Sequence, residues 1–209
     1  MMSLAAALLA MLSLQSAPSG VPDAPSPHAP DCALDLPAML ALDEMHFDQD
    51  RTTGWRMVQA RGCATEAADL LQAYRTAHPT ARAGILFWHE GQVRATIGQT
   101  DRAIALFEQA RRPPDADADA AAWNLYVDGS IAFLRNDRAA LQRARDMLAA
   151  LPPPATPETV MVDGVAMDIP WPMNLNVLDG FLRCFGRPYR EAYATPCTTP
   201  MALTPHRGD

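Results

Sequence analysis

His89 and Glu90 form the first half of H-E-x-x-H, the pattern in which two histidines one helical turn apart hold zinc and the glutamate activates water. Val93 stands where the second histidine is required. The remaining histidines, His28, His46, His78 and His206, are scattered and none is paired at i, i+4, so an imidazole metal site is not expected. Asp115, Asp117 and Asp119 reproduce the opening of a calcium loop. The loop glycine is missing and Tyr126 occupies the twelfth position, where a bidentate glutamate belongs. The run reads instead as an acidic turn before a helix N-terminus. Asp128-Gly129-Ser130 lacks the spacing and second glycine of a nucleophile elbow, and no phosphate-cradling glycine loop is present. These residues assign no catalytic group, metal or cofactor. A gathering of His46, His89, Asp128 and Asp168 around one buried cleft would mark an enzyme.

The four cysteines, Cys32, Cys63, Cys184 and Cys197, fit neither zinc spacing nor C-x-x-C. An even number behind a leader reads as two disulfides. Three pairings are open, and Cys32–Cys63 with Cys184–Cys197 is favoured because each pair flanks one local segment. The leader is the apolar run Leu4–Leu14. It is too short for a bilayer, which needs about 20 residues, and has the length of a signal-peptide core. Residues 1–20 are expected to be removed on export to the periplasm or the medium. No membrane span is then expected in the mature chain. The 209 residues carry a net charge of −7, with arginine supplying every basic group, which disfavours nucleic acid and anionic membranes as partners.

Proline and periodicity divide the rest. Residues 21–31 read as a Pro/Ser linker, 32–151 as a helical domain, 152–195 as a Pro-rich segment with a terminal helix, and 196–209 as a tail. Asp163-Gly164 between two short apolar runs predicts a type I′ hairpin over 159–169. Asp137 predicts the cap of a helix ending before Pro152. Asn174–Gly186 reads as a capped amphipathic helix with an apolar face of Leu175, Leu178, Phe181, Leu182 and Phe185.

Within the helical part Trp55, Trp88 and Trp123 recur at intervals of 33 and 35, and Ala67/Leu71/Tyr74 is echoed 36 residues on by Ala103/Phe107/Ala110. Each triple lies on one helical face. The stretch from Gly98 to Ala110, with Asp101, Ala103, Phe107 and Ala110 in place and Gly91 upstream, resembles the second helix of a tetratricopeptide repeat. Glu90 and Arg94 stand where that pattern is usually apolar. The specific match covers about 30 residues, with looser echoes over 55–150. The blocks FDQD, WHEGQ, WNLYVDG and CFGRPYREAY also resemble a group of uncharacterised exported proteobacterial proteins, which implies no activity.

The resemblance implies an all-α fold of two or three stacked helical hairpins, an α-solenoid with a capping helix. It also implies a ligand face on the first helix of each pair. That face would hold Trp88, Gln92, Trp123 and Asp128, and Arg187 and Arg190 beyond the last helix could grip a carboxylate. The expected function is non-enzymatic binding of a protein or peptide partner in the cell envelope. The alternatives are a small hydrolase with its site between the helices and the Pro-rich segment, or a structural envelope factor without a ligand.

Overall fold

A computed structural model describes residues 31–79, 83–113, 119–154 and 156–207. The expected leader, all of the linker but Asp31, and Asp115 and Asp117 lie outside the described residues. What is described is mostly helical, with one small three-stranded sheet. α1 (Leu36–Leu40) starts where the Asp35 carboxylate accepts the Ala38 N–H. A π-helical turn (Met45–Gln49) leads into α2 (Gly54–Ala60). There follow α3 (Ala64–Ala77), α4 (Ala83–Thr96), α5 (Thr100–Gln109), α6 (Ala120–Leu134) and α7 (Arg138–Ala149). From α2 to α7 each helix packs on the next in chain order, and α1 packs on α3.

Local chemistry sets the boundaries. α7 begins as expected, with Asp137 accepting the Ala140 N–H at 2.9 Å. The two triples that share a face, Ala67/Leu71/Tyr74 and Ala103/Phe107/Ala110, are all buried. Two core clusters result. One, around Phe47, Trp55, Leu71 and Tyr74, joins α2, α3 and α4. The other, around Trp88, Phe107, Tyr126 and Phe181, joins α4 to the C-terminal helices.

The hairpin forms at the expected place. β1 (Thr159–Val162) pairs antiparallel with β2 (Val165–Asp168), and the turn residues Asp163 and Gly164 have φ of 50° and 80°. A third strand, β3 (Thr204–Pro205), adds to β2, so part of the segment read as tail belongs to the sheet. α8 (Leu175–Arg183) packs on α6 and α7, and α9 (Tyr189–Tyr193) packs on α8 and reaches back to α4. The expected cap of α8 differs. Asn174 sits at φ 64° and makes no side-chain cap bond, while Val177 and Gly180 join Leu178 and Phe181 in the buried face.

Cys32–Cys63 and Cys184–Cys197 are disulfides, with Cα atoms 5.5 and 5.7 Å apart, which is the local pairing. Such bonds persist in oxidising compartments. Among the described residues no helix is long and apolar enough to cross a membrane. Both observations are compatible with a non-cytoplasmic protein.

Candidate functional site

The π-helical turn buries Asp48 completely. A buried carboxylate needs its oxygens satisfied, and three elements supply the donors. Trp55 Nε1 in α2 donates to Oδ1 at 2.8 Å, His89 Nδ1 in α4 meets the same oxygen at 2.7 Å, and Gln49 Nε2 donates to Oδ2 at 2.6 Å. Burial alone would raise the Asp48 pKa, but the bonds from His89 and Trp55 and the nearby Arg56 charge outweigh it. The group lies below the usual carboxylate value and is ionised at neutral pH. An ionised carboxylate only accepts, so His89 Nδ1 is the donor. Among the described residues nothing bonds to His89 Nε2.

Gly54 makes this approach feasible. Its φ is +54°, and a Cβ there would sit 2.0 Å from the Phe47 carbonyl oxygen, so only glycine lets α2 start against the π-helical turn and bring Trp55 onto Asp48. Arg56 extends the site. Its Nε donates to the Asp48 carbonyl at 2.6 Å, and its guanidinium lies 4.3 Å from the Trp55 ring centroid. Desolvation pulls its pKa below the ordinary guanidinium value, with Asp48 opposing and Arg51 adding to the fall. Gln49, Arg51, Arg56, Gln59 and Ala60 line a groove of about 530 Å³.

One turn along α4 from His89, Gln92 Nε2 donates to the Tyr193 hydroxyl of α9 at 3.0 Å. Behind this pair are Tyr126 of α6 and Tyr189 of α9, whose buried hydroxyls come near Tyr193 and Gln92 without reaching hydrogen-bonding geometry. Burial drives both phenols well above their ordinary pKa, and the Tyr193 oxygen reinforces it. The four blocks FDQD, WHEGQ, WNLYVDG and CFGRPYREAY therefore contribute Asp48, His89 with Gln92, Tyr126, and Tyr189 with Tyr193 to one region.

The residues expected on the ligand face disperse around it. Gln92 is in the site. Trp88 is 3% exposed and packed against Phe107, Trp123 and Tyr126, so it is core rather than a contact surface. Trp123 is half-buried, donating from Nε1 to the Ala110 carbonyl. Asp128 pairs with Arg111 at 2.6 Å beside another groove, and Arg187 pairs loosely with Glu191 at 3.7 Å. Arg190 is exposed and has no ion pair among the described residues. Asp48, Arg56 and Tyr193 were not named as site residues from the sequence, and Trp55 was marked only as one of the periodic tryptophans. The FDQD block, the Trp55 periodicity and His89 were the signals near Asp48, and nothing in the sequence joined them.

Among the described residues the enzyme set does not assemble. His46 pairs with Asp43 on the surface, His89 with Asp48, Asp128 with Arg111, and Asp168 with His206. A cavity of about 530 Å³ does lie between the Pro-rich segment and the start of α6, walled by Pro153, Pro154, Pro157, Ile169 and Trp171. The one grouping of metal-type donors among the described residues is Cys32, Cys63 and Glu66, and its two sulfurs are joined to each other. No protein-family model matches the chain, and neither a curated protein nor a solved structure matches it.

Proposed function

We propose that the chain is a non-enzymatic binding module of the cell envelope, its helices stacked as two or three tetratricopeptide-like hairpins. In this reading it takes a protein or peptide partner at the groove beside Arg56. Stacking in this manner needs the first helices of successive pairs side by side. The ring contacts of Trp55 with His89 and of Trp88 with Tyr126 join α2 to α4 and α4 to α6. It also needs small residues where neighbours approach, and the Phe107 ring lies 2.6 Å from where a Cβ on Gly91 would project. One observation carries the binding role. The groove's arginine is fixed from behind by a fully buried, fully bonded Asp48, so its geometry exists before any partner arrives.

A photoreactive benzoylphenylalanine at Ala60, exposed beside the groove, tests this reading against the same residue at Met147, exposed on α7. The expected outcome with envelope extract is one discrete cross-linked product from position 60 and none from 147. Equal labelling at both, or none at either, overturns the reading. A different enzyme reading from the one expected beside the Pro-rich segment rests on Asp48–His89, in which the carboxylate holds the imidazole by Nδ1 and leaves Nε2 open as a base. Turnover of a p-nitrophenyl ester panel that disappears in His89→Ala would favour it.

A further inference from the structure

Building on the binding reading above, we infer that the groove between the π-helical turn and α2 accepts an acidic peptide segment. Arg56 and Arg51 receive its carboxylates. Among the described residues the groove lining holds two guanidinium groups, two carboxamides and an alanine, and no carboxylate, in a chain whose net charge is −7. The local sign is therefore opposite to that of the whole molecule, and charge complementarity selects an anionic partner segment.

The geometry narrows the anion. Arg56 spends Nε on the Asp48 carbonyl and stacks on Trp55, so its guanidinium is held in place. Its two terminal nitrogens bond to no described residue. A fixed fork with open terminal donors matches a planar carboxylate. Asp48 offsets one of the two positive charges, although both its oxygens are already bonded.

The test is panning of random displayed dodecapeptides on the full chain, followed by anisotropy titration of the selected peptides, their Asp→Asn/Glu→Gln counterparts, and inorganic phosphate as competitor. The expected result is that Asp and Glu are enriched among binders. Neutralised counterparts should bind about 10–100-fold more weakly, the range for hydrogen bonds to charged groups. Arg56→Ala should reproduce that loss. Arg51→Ala, an exposed change that does not touch the fold, should weaken binding by about 2–5-fold. Millimolar phosphate should not compete. Binders without acidic enrichment, acidic binders indifferent to both arginine variants, or displacement by phosphate overturn the acidic-segment inference while leaving peptide binding intact. An absence of any binders overturns both.

Discussion

The two halves of the core differ in what they add to apolar packing. In the first, around α3 and α4, charges are buried. Glu90 and Arg94 are 1% and 0% exposed, joined to each other at 3.3 Å and onward to Arg75, Asp69 and Gln99. In the second, around α6, α8 and α9, the contacts are rings. Phe133 stacks on Phe181 at 4.4 Å, and Tyr189 touches Phe107, Phe133, Phe181 and Tyr193. Ionic links are directional and fix the angle between helices, whereas rings tolerate adjustment. The groove lies beside the first core, on the π-helical turn and α2, and Tyr193 of the second comes near enough to act on the Arg56 charge.

Three substitution series separate these regimes. Glu90→Ala leaves Arg94 buried with Asp69 as its remaining acid and should cost about 3–5 kcal/mol. Glu90→Leu with Arg94→Met, which replaces the pair by apolar volume, should return to within about 1 kcal/mol of the parent. Urea midpoints for the two check this, and equal losses in both would show that the ion pair is not what sets the cost. In the aromatic half Phe133→Leu should cost less, about 1–2 kcal/mol, because it loses roughly one methylene of buried volume and the ring contact with Phe181 but strands no charge. Its loss should be unchanged between 0.05 and 0.5 M salt, and a salt-dependent loss would blur the distinction between halves.

The smallest effect is one of pH. The folded Asp48 pKa is depressed, so its contribution is fully present above the ordinary carboxylate range near pH 4. It is lost as pH falls through the lower folded value. Asp48→Asn should flatten the acid limb of thermal stability over that window, followed by circular dichroism. An unchanged acid limb would mean that Asp48 titrates alike folded and unfolded.

Much of the skeleton was legible from local residues. Asp137, Asp163-Gly164 and the prolines mark boundaries through chemistry that acts within a few residues, and the structure follows them. The periodic tryptophans were legible as a repeat but not as a role. Two of the three turned out to be buried, and the third half-buried, because a large ring between neighbouring helices is best placed inside. Glu90 and Arg94 looked like interruptions of an apolar face. Their acceptability depends on Asp69 and Arg75 of another helix, which no local pattern encodes. The site was least legible of all. Asp48 meets His89 across 41 residues and Gln92 meets Tyr193 across 101, and pairings of such span leave no periodic trace in one chain.

Cys184–Cys197 encloses the whole of α9, and Arg183 donates to the Cys197 carbonyl at its base. During synthesis Tyr193 follows Gln92 by 101 residues. The Arg56 side of the region is thus synthesised early, and Tyr193 arrives late, inside a short covalent loop. Oxidation of the two thiols therefore decides whether α9, and with it the Tyr193 end of the Gln92 bond, is tied to α8 by anything stronger than packing.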